Sequence, residues 1–262
     1  LEENLKMIYD SVVFLKKKKR EVFYDAEHFF DGYKRNPEYA VRTITAAQDA
    51  GAACVILCDT NGGTLPEEVR RIVAEVTKKI STPLGIHTHN DLDLAVANSL
   101  AAIEMGCVQV QGTFNGLGER CGNADLGTII GILHTKMNRK SIPDSKIKLL
   151  TETSYFISEV SNLKLADNHA FVGHSAFAHK GGVHIDAMLK NPLAYEHVDP
   201  QMVGNHRRFV TSELAGKMPI ILKARQMNVD LDKQSPETQK LLKDLQLKEH
   251  HGYQFESADA SF

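Results

Sequence analysis

His87 and His89 are separated by one residue in the stretch Pro83-Leu84-Gly85-Ile86-His87-Thr88-His89-Asn90-Asp91. An apolar entry followed by alternation reads as a β-strand, on which residues two apart point to the same side, so the imidazoles converge at its C-terminal end. Neutral imidazole is the commonest protein metal ligand, and strand tips leading into a turn and a helix are where parallel α/β proteins place their chemistry. The bland reading of the same spacing is two ordinary polar residues at a strand end. Their company decides between the two. Glu27, Asp59, Thr60, His87, His89, Glu119 and Asn123 all fall at or just beyond the C-terminal ends of successive predicted strands. Any one of them is explained by turn chemistry, which wants Asp, Asn and Thr for backbone reasons. Together they describe the rim of an active site.

Two further stretches invite chemistry. Asn115-Gly116-Leu117-Gly118-Glu119-Arg120-Cys121-Gly122-Asn123 is glycine-rich, but its Gly-x-Gly-x-x-x-Gly spacing is one residue too long for a dinucleotide fingerprint, and Glu119 would repel a phosphate. A buried Glu119 and Arg120 pair that ties the loop down or orients Asn123 is the expectation. In His179-Lys180-Gly181-Gly182-Val183-His184-Ile185-Asp186 the paired glycines let the backbone approach a ligand closely, and His184 beside them is available as a general base. A surface turn with two incidental histidines is the alternative.

The elements that must position these residues follow from periodicity. Leu5, Ile8, Val12 and Leu15 predict a first helix, and the run Lys16 to Arg20 complements its negative end rather than marking a nucleic-acid site. Strands are predicted over 21–27, 52–59 and 107–113, besides the one after Pro83, and 52–59 is apolar enough to be covered on both faces. Between them run a helix from Asn36-Pro37 to Gly51, a helix opened by a Thr64 and Glu67 capping box, a helix over 91–105, and an apolar helix over 126–133. These are four strand-then-helix units, the spacing of a β/α barrel that needs eight. The sheet is therefore either open and four-stranded or the second half of a barrel. Beyond Asn138 the alternation stops; 139–145 reads as a linker, 146–163 as helical, and 211–246 as helical with breaks at Pro219 and Pro236. The expected organisation is a half-barrel over 1–137 and mostly helical subdomains over 138–262.

With 262 residues, 42% of them hydrophobic, the chain can bury a real core, and a net charge of −2 gives no global pull toward nucleic acid or an anionic membrane. No apolar run approaches membrane-spanning length and no signal-peptide pattern opens the chain, so the expectation is a cytoplasmic protein. Cys54, Cys58 and Cys107 lie in apolar strand-like runs and Cys121 in the glycine loop, with no C-x-x-C pair, which argues against disulfides and a structural zinc. The chain opens on Leu1 inside a helical pattern, as a piece of a longer polypeptide would.

At this point the residues resemble a known family. His87-Thr88-His89-Asn90-Asp91 and Gly112-Thr113-Phe114-Asn115-Gly116-Leu117-Gly118-Glu119-Arg120-Cys121-Gly122-Asn123-Ala124 look like the two signatures of the 2-isopropylmalate, homocitrate and citramalate synthases. The stretches Phe23 to Gly32, Leu57 to Thr64 and Ala178 to Met188 resemble the citramalate branch. The resemblance implies metal-dependent barrel acyltransferases that condense acetyl-CoA with a 2-oxo acid, pyruvate for citramalate. It implies that His87, His89 and Asn123 hold a divalent cation, Zn, Mn or Mg, and that Glu27 and Thr60 position the oxo acid. It makes His184 and Glu119 the catalytic candidates, His184 serving the partner subunit's barrel in a homodimer. No nucleic acid or membrane partner is implied. The family's first strand ends in Asp-Arg-Glu, whose Asp completes the metal site, and this chain contains no Asp-Arg-Glu. The isolated polypeptide is accordingly expected to be catalytically incomplete. The rival activities are a metal-dependent lyase or aldolase of the same superfamily, and a non-catalytic oligomerisation or regulatory piece.

Overall fold

The computed structural model describes residues 1–179, 182–210, 217–226 and 229–253. The chain divides into two units, Leu1–Leu133 and His134–Phe262.

In the first unit, helix α1 (Glu2–Lys17) precedes four strands, β1 (Phe23–Ala26), β2 (Cys54–Asp59), β3 (Leu84–Thr88) and β4 (Gln109–Gln111). They form one parallel sheet in the order β1-β2-β3-β4, with Ala26 beside Leu57, Cys58 beside His87, and His87 beside Gln111. Helices α2 (Phe29–Arg35), α3 (Pro37–Asp49), α4 (Pro66–Val76) and α5 (Ala95–Glu104) fill the crossovers, and α6 (Leu126–Thr135) follows β4. Strict sequential order is the layout of a β/α barrel, whereas a doubly wound sheet would reverse direction at a switch point.

Alternation along the strands gives the sheet two different faces. Val55, Leu57, Leu84 and Ile86 turn toward the helices and share one core with Ile44, Ala47, Val69, Ile72, Val73 and Val76. Each such side chain taken out of water is worth about 1.5–3 kcal/mol, and this helix-facing layer is what fixes the register of the strands. The opposite face carries the separate cluster Cys54, Ile56 and Cys58. On that same face, by alternation, lie Asp25, His87 and Gln111. Burial pushes the Cys58 thiol well up and the Cys107 thiol up to about 12, so both behave as small hydrophobes.

Several predicted ends move for local reasons. Asn36 caps α3 as expected, its Oδ1 accepting from Tyr39 N at 3.0 Å, with Pro37 in the first turn. The cap of α4 is Leu65, not Thr64, and Glu68 Oε2 rather than Glu67 reaches back to the Leu65 amide at 3.1 Å. Thr64 is engaged elsewhere, donating its hydroxyl to the buried Asp59 Oδ1 at 2.8 Å. Helix α5 begins at Ala95 instead of Asp91, because the chain first turns at Asp93 (φ 59°) and Asn90 Oδ1 accepts from Ala95 N at 3.1 Å. In α1 only Val12 of the expected stripe is fully buried, and Leu15 is exposed.

In the second unit a 3-10 turn (Asp144–Leu149) leads into α7 (Leu150–Ser161). Two short strands, β5 (Ala178–His179) and β6 (Arg208–Phe209), pair in parallel. Helices α8 (Gly182–Lys190), α9 (Lys217–Gln226) and α10 (Pro236–His250) complete it, α9 and α10 meeting at Ile220 and Leu245. Pro236 opens α10, where its missing amide costs nothing, and Pro219 lies within α9. Lys180, Gly181 and 211–216 lie outside the described residues. No helix among the described residues is long and apolar enough to cross a membrane.

Candidate active site

His87 ends up partly buried near the tip of β3 with both ring nitrogens engaged. Nδ1 meets Gln111 Oε1 at 2.9 Å and Nε2 meets Asn123 Oδ1 at 3.0 Å. Asn123 is set from the other side, its Nδ2 donating to the Leu117 carbonyl at 3.0 Å. The His87 and His89 rings lie 5.3 Å apart, and His89 and Asn123 form an isolated β-bridge. His89 Nδ1 is buried without a hydrogen-bond partner. The three expected ligands are thus one cluster. An orphaned buried imidazole nitrogen, a second imidazole and an amide oxygen make a mixed nitrogen and oxygen donor set that fits a divalent cation. Among the described residues no group of three or more His, Cys, Asp or Glu is placed to hold a metal, so the amide oxygen is part of what makes this set.

Glu27 and Thr60 also come together. Thr60 donates its hydroxyl to Glu27 Oε2 at 2.7 Å and accepts the His28 amide at 2.7 Å. The glycine loop joins this rim through Arg120, which donates to both Asp91 oxygens at 2.7 and 2.9 Å and to the Thr60 carbonyl at 2.7 Å. The expected buried pair of Glu119 and Arg120 is therefore not what forms. Both residues are exposed, and Arg120 takes Asp91 because a planar guanidinium satisfies a carboxylate through two parallel bonds. That bond holds the Asp91 carboxyl below the usual range and raises Arg120. Asp59, by contrast, faces away from the rim; burial raises its carboxyl despite the two bonds from Thr64, and it anchors the loop after β2.

The loop itself is tightly specified. Asp125 accepts from the amides of Asn115, Gly127 and Thr128 and so starts α6. Gly122 sits at φ +91°, and a Cβ there would lie 1.9 Å from the Gly116 carbonyl oxygen.

His184 belongs to the second unit. It stands in the first turn of α8, not in a loop, and is exposed. Its ring stacks on Tyr195 with centroids 4.3 Å apart. Next to Tyr195 in sequence, buried Glu196 accepts from His179 Nε2 at 3.0 Å and from both Arg207 nitrogens. Sequence reasoning left Tyr195 and Asp25 without a role, and Arg120 and Gln111 take partners it did not foresee. The alternation of Gln109 and Gln111 with Val108 and Val110 was the signal for a polar interior face, and nothing local marked Tyr195.

Comparison with known proteins places the chain. Residues 1–157 match the HMGL-like family model, and residues 171–250 match a second model described as homocitrate synthase post-HMGL domain-like. The chain belongs to the HMGL-like family. Among its HMGL-like relatives, (R)-citramalate synthase of Geobacter sulfurreducens is 54% identical over 262 residues, covering 100% of this chain and 50% of that protein. (R)-citramalate synthase of Aquifex aeolicus is 50% identical, again over 100% of this chain and 50% of the relative. A 2-isopropylmalate synthase of Methanocaldococcus jannaschii is 34% identical over 88% of this chain and 44% of its own length. The chain spans about half the length of the curated relatives it matches. Among solved structures, the N-terminal domain of a candidate aldolase from Bacteroides vulgatus superimposes with a TM-score of 0.52 at 21% identity, over 61% of this chain and 51% of that one. That likeness supports the α/β fold alone.

Proposed function

We propose that this chain carries the metal-binding and oxo-acid-binding rim of a synthase that condenses acetyl-CoA with pyruvate to citramalate. The observation that supports the reading is the cluster of His87, His89 and Asn123 beside the Glu27 and Thr60 pair. His87, His89 and Asn123 would hold the divalent cation, Zn, Mn or Mg. When bound, such an ion supplies Lewis acidity toward the keto and carboxylate oxygens of a 2-oxo acid. Thr60, with its hydroxyl committed to Glu27 and the His28 amide, presents a fixed edge against which the oxo acid is oriented. His184 takes a methyl proton from acetyl-CoA, the carbon so freed adds to the keto carbon, the oxygen that addition leaves negatively charged takes up a proton, and water then hydrolyses the thioester to release CoA. Glu119, exposed beside Arg120 on the glycine loop, is the second residue we assign to the catalytic set. The working form is a cytoplasmic homodimer in which His184 serves the partner's barrel.

Because the present residues contain no Asp-Arg-Glu, binding and turnover should separate. Calorimetric titration of the chain with Mn, then with pyruvate, should show pyruvate taken up only after the ion, with no release of free CoA on adding acetyl-CoA. Pyruvate binding of equal strength in the presence of chelator would overturn the assignment of the rim. A thermal melt that rises with the ion and falls with chelator follows from mass action, and the scaffold reading predicts neither.

A further inference from the structure

We propose that Asp25 and Gln111 are positioning residues that lock His87 in its Nδ1–H tautomer, leaving the Nε2 lone pair on the side of Asn123 as a donor to the cation this cluster would hold. The inference deepens the metal-site reading above and rests on it. Gln111 Nε2 donates to Asp25 Oδ1 at 2.9 Å. An ionised carboxylate only accepts, so the amide must turn its NH2 toward Asp25; the flipped amide would set two oxygens against each other. The remaining amide atom, Oε1, then faces His87 Nδ1 at 2.9 Å and also only accepts. The proton of the neutral ring therefore resides on Nδ1.

The far end of the ring is fixed by the same reasoning. Asn123 spends its NH2 on the Leu117 carbonyl, which points its Oδ1 at His87 Nε2. In the neutral Nδ1–H ring two acceptors thus confront each other at 3.0 Å, an arrangement that is unfavourable unless a proton or a cation lies between them. His89 Nδ1, buried and partnerless, belongs to the same cluster. Metal-binding imidazoles have their free nitrogen selected in this way, by what the other nitrogen donates to. The topology makes the relay possible. Asp25 lies on β1 and Gln111 on β4, the first and last strands of the sheet, so their bond crosses the concave face, as the curvature of a barrel sheet allows.

The test uses the whole chain, 15N-labelled and stripped of metal with chelator near neutral pH. Long-range proton–nitrogen correlation, with the His87 signals assigned by their loss in His87→Gln, should show the Nδ1–H form. In Gln111→Leu that form should give way to a mixture, with the circular dichroism unchanged and the calorimetric affinity for Mn and Zn lowered about 10–100-fold. Gln111→Glu alone would set a carboxylate oxygen against Asp25, so it is paired with Asp25→Asn; the double variant keeps an acceptor opposite Nδ1 and should restore the affinity to within a few-fold. An Nε2–H ring in the wild-type chain, or wild-type affinity in Gln111→Leu, would overturn the relay. A wild-type chain that takes up no ion would sink the metal reading, while the tautomer would still decide the relay independently.

Discussion

His87 and His184 are held in opposite ways. His87 is partly buried with a partner on each ring nitrogen and a neighbouring imidazole 5.3 Å away. His184 is exposed on the first turn of a helix, with a single aromatic face against it at 4.3 Å. The difference matches what the two proposed roles require. A ligand must be aimed before its ion arrives, because reorientation is charged against affinity, whereas a proton-transferring base must stay accessible and uncommitted until its substrate is present. The first unit therefore spends hydrogen bonds on orientation, and the second spends them beneath the histidine, on Glu196.

The contrast breaks most sharply at the proposed ligands. His87→Ala or His89→Ala should weaken Mn or Zn binding by more than about 100-fold in calorimetry, since a ligand is lost rather than a positioning group. His184→Ala should leave that titration unchanged. The next effect belongs to the second unit. Glu196 is buried, which opposes its ionisation, but the bonds from Arg207 and His179 outweigh burial and hold its carboxyl below the ordinary 4.5. Glu196→Gln takes the counter-charge from Arg207 and should cost about 2–3 kcal/mol in chemical denaturation. Because the folded value is depressed, this stabilisation is complete above the ordinary value and is lost as pH falls through the folded one. Wild type and Glu196→Gln should accordingly converge in denaturation midpoint as pH falls below about 4.5, and a gap that widens on acidification would contradict the pairing. A third effect, of about 1–3 kcal/mol, is expected for Gly122→Ala, where a side chain at φ +91° would strike the Gly116 carbonyl. It should loosen Asn123 and so weaken ion binding while leaving the second unit untouched.

The legible parts of this molecule were those written in local pattern. Apolar runs and their turns marked β2, β3 and the helix stripes of α3 and α4, and His-x-His with the glycine loop carried the family resemblance that the HMGL-like match bears out. What escaped was decided by competition or by distance. Thr64 is an excellent cap by type, but the buried Asp59 claims its hydroxyl, and the next residue becomes the cap. Arg120 lies beside Glu119 in sequence yet bonds to Asp91, because the fold brings up a better-shaped partner from 29 residues away. Gln111 and Asp25, separated by 86 residues, meet only once the sheet has curved.

The smallest effect bears on the histidine left exposed. Tyr195 has 45% of its surface open, so the stack on His184 is not a packing necessity, and aromatic pairs of this kind contribute about 0.5–1.5 kcal/mol. Tyr195→Phe keeps the ring and should leave the His184 proton and nitrogen shifts near those of the wild type. Tyr195→Ala removes the face that limits the rotamers of His184, and its signals should move toward those of a free imidazole, with global stability changed by no more than about 1 kcal/mol. Ion affinity should stay constant across both variants, since neither touches His87, His89 or Asn123. If Tyr195→Ala left the His184 signals in place, the stack would not be what orients the ring, and the proposed base would be aimed by its helix backbone alone.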